Sequence, residues 1–471
     1  MIGLSTFSLQ IENSYKIGNL IKEQFPEIYL AYGGVHSTFV YGTVESTINP
    51  KEPFIRGSAD FVIGGEGEKP FLELVSALEK RDIEHLGLSG GISYRSGNKI
   101  VPNTQNNLID NLDELPFPAR HLVDIKEYRN DIHIMPYANE IAVDVITSRG
   151  CPFNCSYCTS PKLYGGKVRF RSPENVVAEL EEIVNCYGIK NIHFHDDCFL
   201  LDRKRAKRIC ELIINKKLKI KWICLASIQS LLKSGDILPI MKESGCVGIE
   251  IGLESFDESV LKSMNKNQRE KDILNADRML KENGILPLYL MISFYPTETL
   301  YTSYKNANML NKLLNDKLEI VDYLKAVHLP YSFGQFATPY KGTEFEKIAA
   351  KEGVSFIKSA GDYNRQKVNF IPYSFLRDIP IRVKNLYEGS FYEEIGNFRE
   401  HIDYYLKDPE LIGYSEYGEY ARLLYKIYKR VDGKQTVGEI IQSMNLDLRV
   451  GSLAFKFLAM FNLLTSKNVQ K

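Results

Sequence analysis

The sequence predicts an α/β protein with two parallel-sheet parts and a helix-rich end. Three observations carry that expectation. Short apolar runs alternate with amphipathic stretches along most of the 471 residues, the runs close on glycine or a helix-capping residue, and the alternation repeats about six times between residues 141 and 345. Six repeats are too many for a short sheet and suit an open, partial (β/α)6 barrel.

The first part, residues 1–125, opens with Ile2-Gly3-Leu4-Ser5 as a strand, followed by a helix whose apolar face is marked by Ile17, Leu20 and Ile21. Ile28 to Ala31 is a second strand ending at Gly33-Gly34, and Phe61-Val62-Ile63 a third ending at Gly64-Gly65-Glu66-Gly67. Leu72, Val75 and Leu78 mark the next helical face. Residues 110–140 read as a connector, because Leu115-Pro116-Phe117-Pro118 cannot continue a helix or a central strand.

In the second part, residues 126–345, Ala142 to Thr147 and Asn191 to Asp196 read as strands, with more near 221–225, 247–253, 286–293 and 324–330. Ser172-Pro173-Glu174 is a helix start with an N-cap, Pro at the first position and an early acid. Val176, Val177, Leu180, Ile183 and Val184 form the buried stripe of that helix, and Gly188 ends it. The last part, residues 346–471, reads as mostly helical, with a winged-helix-like pattern at 415–471.

Composition narrows the function. Lys plus Arg equals Asp plus Glu at 59 each, so no global basic excess argues for nucleic acid. The basic run from Arg203 to Arg208 is flanked by Asp202 and Glu211 and reads as a solvated helix face. No secretory leader and no apolar run of membrane length is evident, so a soluble, cytoplasmic protein is expected. All eight cysteines fall between positions 151 and 246, a clustering that suggests a metal site in a reducing compartment and not a disulfide framework.

Arg149-Gly150-Cys151-Pro152-Phe153-Asn154-Cys155-Ser156-Tyr157-Cys158 carries the chemistry. Soft thiolates suit iron, and close spacing lets one loop wrap several irons. Three ligands on a four-iron cluster leave one iron open. A structural zinc site is the alternative, with His193, His195 or Cys198 as the fourth ligand. Cys186, Cys210, Cys224 and Cys246 read as small core hydrophobes.

This CxxxCxxC loop, with the aromatic Tyr157 before its last cysteine, resembles the radical S-adenosylmethionine (SAM) superfamily. The resemblance implies a [4Fe-4S] cluster on Cys151, Cys155 and Cys158, with the open iron chelated by the amino and carboxylate groups of SAM. One electron, supplied by a donor such as flavodoxin or ferredoxin, would split SAM into methionine and a 5′-deoxyadenosyl radical. Phe194-His195-Asp196-Asp197-Cys198-Phe199 resembles a segment near SAM, so Asp196 or Asp197 would meet the SAM ammonium; the alternative is a carboxylate capping the helix that starts near Asp202. Gly248 to Ser255 resembles the family's Gly-x-Glu-Ser strand end, implying SAM contact by Glu254 and Ser255. Pro296-Thr297-Glu298-Thr299 resembles a Pro-Gly-Glu-Thr turn, with Thr297 in place of glycine.

The first part resembles the rear of the cobalamin-binding domain found before many radical SAM modules. The match lies in Gly3 to Thr6, Gly33-Gly34, Gly65 to Glu68 and Leu115 to Arg120, and implies cobalamin near Ser5, Gly33 and Gly34. That domain has five parallel strands in flavodoxin-like order, whereas this chain opens at what resembles the third. The first strand is then an uncovered edge, and either Met1 is an internal start or another segment or partner covers it. The family's Asp-x-His-x-x-Gly cobalt ligand is absent, and Asp131-Ile132-His133 in the connector is a decoy. Cobalamin binding stays open on these grounds.

The expectation is therefore a radical SAM enzyme acting on a small-molecule or peptide substrate, methylating carbon where cobalamin binds and rearranging or cyclising where it does not. The alternatives are a nucleic-acid-modifying radical SAM enzyme, disfavoured because no cysteine precedes Cys151, and a non-enzymatic zinc- or peptide-binding module.

Overall fold

The computed structural model describes residues 1–41, 52–82, 90–102, 108–127, 140–313, 335–340, 342–357, 370–376, 381–383, 434–460 and 464–466, with a few isolated positions between 423 and 431. The decoy at Asp131 to His133 and the strand expected at 324–330 lie outside these residues.

The first sheet runs in the order β1 (Ile2–Ser5), β2 (Leu30–Gly33), β3 (Phe61–Ile63), β4 (Ile92–Ser96) and β5 (Lys99–Val101). β1, β2 and β3 are parallel, and β4 and β5 add an antiparallel extension. β1 is an edge of this sheet. Alternation along β2 sends Leu30 and Tyr32 to one face with Ile11, Tyr15, Phe54 and Val62, and Ala31 to the other with Phe61, Ile63, Leu74 and Ile92.

Two helical faces differ from those expected. In helix Ile11–Gln24 the buried stripe is Ile11, Tyr15 and Gly18, whereas Ile17 and Leu20 are about half exposed. Gly18 is part of the stripe because the Tyr32 hydroxyl occupies its side-chain space: a Cβ there would lie 2.0 Å from that oxygen. A hydropathy pattern cannot register a missing side chain. In helix Glu68–Lys80, Leu74 is fully buried and Leu72 is exposed.

The second sheet has the order β6 (Ala142–Val145), β9 (Asn191–Phe194), β10 (Lys221–Ala226), β11 (Cys246–Glu254), β12 (Leu286–Ser293) and β13 (Gln335–Phe336), every pair parallel. The short antiparallel pair β7 (Ser148–Arg149) and β8 (Arg169–Phe170) brackets the cysteine loop. The helix Pro173–Tyr187 begins at Ser172, whose hydroxyl accepts from the Asn175 amide, and stops at Gly188 with φ +69°. Asp202 caps the helix Arg203–Asn215 by accepting from the Arg205 amide. One face of the sheet and these helices share a core that includes Val143, Val145, Ile192, Phe194, Trp222, Ile249 and Ile251. Cys210, Cys224 and Cys246 are buried, but Cys186 is exposed at the helix end. Of the basic run, Arg208 pairs with Glu174 and Arg203 with Asp236 on the surface, while Arg205 is buried. No described helix is long and apolar enough to cross a membrane.

Helix predominates among the described residues of the end of the chain, with two short strand pairs set among the helices. Helix Glu344–Glu352 leads into the antiparallel pair β14 (Gly353–Ser355) and β15 (Phe370–Pro372). Helices Val437–Ser443 and Leu448–Met460 precede β17 (Leu464–Ser466), which pairs with the distant β16 (Ile381–Val383) and not with a neighbouring wing strand. Lys456, 4% exposed on the second of these helices, places Nζ 2.8 and 2.9 Å from the Glu298 carboxylate oxygens and 4.6 Å from the Phe294 ring centre. This buried pair anchors the end of the chain to the turn after β12.

Further buried ion pairs, centred on Glu66 and on Arg120, join the first sheet and the connector to the β7–β8 pair and to the helix Pro173–Tyr187. Glu66, just after β3, accepts two bonds from Arg169 at 2.7 and 2.8 Å, one from the Ile109 amide at 2.6 Å, and pairs with Arg149 at 3.0 Å. Arg149 and Arg169 face each other across β7 and β8. Arg120 of the connector donates to Glu179 at 2.6 Å, both nearly fully buried. Glu66 and Arg120 belong to the two motifs, Gly65 to Glu68 and Leu115 to Arg120, quoted from the sequence; their physical role here is attachment.

Removing one partner of a buried pair strands the other charge. Glu66→Gln is expected to lower the unfolding free energy by about 3–5 kcal/mol, measured by urea denaturation; a change within experimental error contradicts the attachment. Burial alone would raise the Glu66 pKa, but Arg169, the Ile109 amide and Arg149 hold it below the usual carboxylate value. Its stabilising contribution is therefore present above the unfolded pKa and lost as pH falls through the folded one. The acid limb of a stability–pH curve should be shallower in Glu66→Gln than in the unaltered protein.

Candidate active site

The carboxyl end of the second sheet opens into a cavity of about 730 Å³ lined by Cys151, Cys155 and Cys158 together with Tyr157, Asp197 and Glu254. Ligands of open α/β sheets bind outside the carboxyl ends of the strands for the same topological reason.

The cysteine loop is held in place from several sides. Gly150 takes φ +95°, and a Cβ on it would lie 2.0 Å from the Lys167 carbonyl, so only glycine admits the chain into Cys151. Ser156 donates its amide to the Met264 carbonyl at 3.0 Å, accepts the Phe345 amide on its own carbonyl at 2.8 Å, and shares a hydroxyl hydrogen bond of 2.5 Å with Tyr295. Tyr295 sits in the turn whose carboxylate, Glu298, accepts the Phe294 amide and the Ser303 hydroxyl as well as Lys456. Thr297 of that turn takes φ +74°, which accounts for the glycine at this place in the turn it resembles.

Burial pushes the thiols up, Cys151 to about 12 and Cys158 to about 11, and raises Cys155. Free of metal they are protonated and poorly nucleophilic; a metal ion supplies the positive charge that thiolates need in so dry a place.

The remaining expected residues separate by role. Asp196 is 3% exposed and spends both oxygens on the loop leaving β6: Oδ1 accepts the Thr147 amide at 2.6 Å, and Oδ2 accepts the Thr147 and Ser148 hydroxyls at 2.5 and 2.6 Å. Asp197 accepts the Ser160 hydroxyl at 2.6 Å, and burial raises its pKa despite the help of Ser160 and the Gly150 amide. Neither caps the following helix, which Asp202 does itself. Glu254 ends β11 with φ +66°, beside a register shift against β12, and its Oε1 accepts from Tyr157 at 2.8 Å and from Lys266 at 2.9 Å. Burial and the Glu254 charge raise Tyr157 well above its ordinary value. Ser255 is fully buried away from the cavity lining and donates to Asn306 at 3.1 Å. Ser5, Gly33 and Gly34 come together at the carboxyl ends of β1 and β2, where Ser5 is in register with Gly33. Near them His36 is 1% exposed, its Nδ1 3.0 Å from the Ser8 hydroxyl and its Nε2 buried with no hydrogen-bond partner among the described residues; burial lowers its pKa to about 4.

Sequence reasoning missed Lys266 and Tyr295. Lys266 also donates to the Gly252 carbonyl at 2.6 Å and is the cation that neutralises Glu254 in the cavity wall. It follows a helix end in an unremarkable polar stretch, so only the fold brings it to β11.

The comparisons with known proteins agree with this geometry. The profile of the radical SAM superfamily matches residues 145–301, from the end of β6 through the cysteine loop to the helix after β12. The chain is 30% identical over 351 residues to an uncharacterised methyltransferase of Pyrococcus horikoshii, covering 74% of this chain and 69% of that protein. It is 26% identical over 403 residues to the anaerobic magnesium-protoporphyrin IX monomethyl ester cyclase of Rubrivivax gelatinosus, covering 80% of this chain and 68% of that one. In fold it resembles the cobalamin-dependent SAM radical enzyme OxsB, solved with aqua-cobalamin and SAM, at a TM-score of 0.62 and 19% identity, covering 98% of this chain and 70% of OxsB. The chain belongs to the radical SAM superfamily. It is an enzyme of that class, whose members use a [4Fe-4S] cluster and SAM.

If Asp196 is a clamp, its loss strands the donors of Thr147 and Ser148 at about 1–3 kcal/mol each. Asp196→Ala should destabilise the protein by at least that much in chemical denaturation, and Asp196→Asn by less, because one acceptor oxygen remains. Equal, near-zero effects of both substitutions contradict the assignment.

Proposed function

We propose that the protein holds a [4Fe-4S] cluster on Cys151, Cys155 and Cys158, binds SAM in the adjoining cavity and methylates a small-molecule substrate with cobalamin at the first sheet. The observation that carries this reading is the convergence of three thiols from one loop, Cys151 buried and Cys155 and Cys158 half-buried, on a single cavity at the carboxyl end of a parallel sheet. The donor set fits: three soft sulfurs from one loop suit a cluster with one open iron, and Cys198, which also lines the cavity, is engaged by the Ser230 hydroxyl at 3.2 Å. Cys151, Cys155 and Cys158 would hold such a cluster, which when bound would supply the electron for reductive cleavage of SAM.

The protein's own part is binding, orientation and exclusion of water. Glu254, fixed by Lys266 and Tyr157, is suited to accept hydroxyl hydrogen bonds from the SAM ribose, and Asp197 to face the SAM ammonium. Asp196 acts one step back, through the loop it clamps. Cobalamin suits the strand ends at Ser5, Gly33 and Gly34, where the buried His36 Nε2 has no hydrogen-bond partner among the described residues. Methylation is favoured over ring closure by the methyltransferase relative in Pyrococcus horikoshii; a flavodoxin or ferredoxin would deliver the electron.

Anaerobic reconstitution with iron and sulfide tests the reading. The broad visible absorbance of an iron–sulfur cluster, abolished in Cys151→Ala, with 5′-deoxyadenosine released from SAM, is expected. Zinc without sulfide, or a cluster that leaves SAM intact, contradicts it. Glu254→Gln should weaken SAM binding about tenfold, equivalent to one hydrogen bond to a charged group, by equilibrium dialysis with the cluster retained.

A further inference from the structure

The second sheet has a face that does not pack on the helices. Val143, Val145, Ile192, Phe194, Ile249 and Ile251 point into the helical core, so Asp144, His193 and Glu250, which alternate with them, point the opposite way. His195, just past the end of β9, joins them and also lines the SAM cavity.

We propose that Asp144, His193 and His195 form a binding site for a divalent transition-metal ion, separate from the cysteine loop. One candidate ligand atom from each of the three lies within 4.8 Å of the others. Asp144 Oδ1 is 3.3 Å from His193 Nδ1 and 3.9 Å from His195 Nδ1, and the two imidazoles meet edge to face with centres 4.9 Å apart. The Asp144–His193 and Asp144–His195 separations match those of donors each about 2 Å from one metal ion.

The second observation lies behind the first. His193 Nε2 is 3.2 Å from Glu250 Oε2, and both side chains are almost buried, at 15% and 10% exposure. Metal-bound histidines characteristically hand their other ring nitrogen to a carboxylate, which fixes the tautomer and turns the free nitrogen toward the ion. Glu250 does this for His193 from a different strand, so the ligand ring is fixed before any metal arrives. Two imidazoles and one carboxylate select zinc, iron, cobalt or nickel over magnesium and calcium. Asp144 and His195 are 69% and 64% exposed, so the remaining coordination positions are open to solvent and to whatever enters beside the SAM cavity. The competing arrangement has His193 as a charged ring bridging two carboxylates, with no metal affinity.

The test titrates Co²⁺ into the full chain carrying Cys151→Ala, Cys155→Ala and Cys158→Ala, which removes the thiolate loop as a competitor. One equivalent should survive desalting and give weak visible ligand-field bands without intense near-ultraviolet thiolate absorption. Asp144→Ala and His195→Ala should each weaken binding more than tenfold, and Glu250→Gln about ten- to a hundredfold. No stoichiometric Co²⁺, thiolate absorption, or retention of Co²⁺ in Asp144→Ala and His195→Ala overturns the proposal in favour of the bridging ring. Should the triple variant fold poorly, cobalt counted after desalting in the iron–sulfur-reconstituted protein, with and without His195→Ala, decides between the same two outcomes. Neither measurement depends on SAM cleavage.

Discussion

The buried carboxylate of Glu66 is the constraint on which the arrangement of the two sheets turns. It leaves β3 in the first sheet and is met by Arg149 and Arg169, which sit opposite each other on the two short strands bracketing the cysteine loop. A carboxylate that far from water is tolerable only with its charge matched and its lone pairs filled. Matching it fixes the first sheet against the loop and orients Arg149, two residues before Cys151. The attachment and the entry to the metal loop are thus one structure.

From there the loop is fixed by hydrogen bonds from several elements. Gly150 admits the chain, Asp196 gathers Thr147 and Ser148, and Ser156 is bonded to Met264, Phe345 and Tyr295. Tyr295 in turn belongs to the turn held by Glu298 and Lys456, residues 158 positions apart in sequence. Burial raises the three thiols, which makes the loop inert until a metal replaces their protons. The chain spends buried charge pairs and side-chain hydrogen bonds on holding one loop still, as expected of a scaffold whose bound groups do the difficult chemistry.

Much of this was legible in the sequence. The Cys151, Cys155 and Cys158 spacing, the Ser172 cap, the Gly188 stop and five of the six strands of the second sheet follow from local pattern, because caps, turns and period-2 runs are local physics. What eluded reading was long-range. Lys266 reaches Glu254, and Lys456 reaches Glu298, only through the fold. The stripe through Gly18 was hidden because glycine contributes no hydropathy while its absence of side chain admits the Tyr32 hydroxyl. Asp196 and Asp197, adjacent, chemically identical and both in the cavity lining, could be told apart only once Asp196 was found with both oxygens committed to the loop from β6 and Asp197 bonded to Ser160. The short strands within the helical last segment were hidden because β16 and β17 pair across some eighty residues.

The central claim is that SAM binds directly to an iron left open by three cysteines. The electron paramagnetic resonance spectrum of the chemically reduced, reconstituted protein tests it most directly, recorded before and after addition of SAM. A shift of the cluster signal on adding SAM, absent with S-adenosylhomocysteine stripped of its amino and carboxylate groups, is predicted. A cluster signal indifferent to SAM would contradict the account, because the cavity would then hold a closed centre with no place for the substrate.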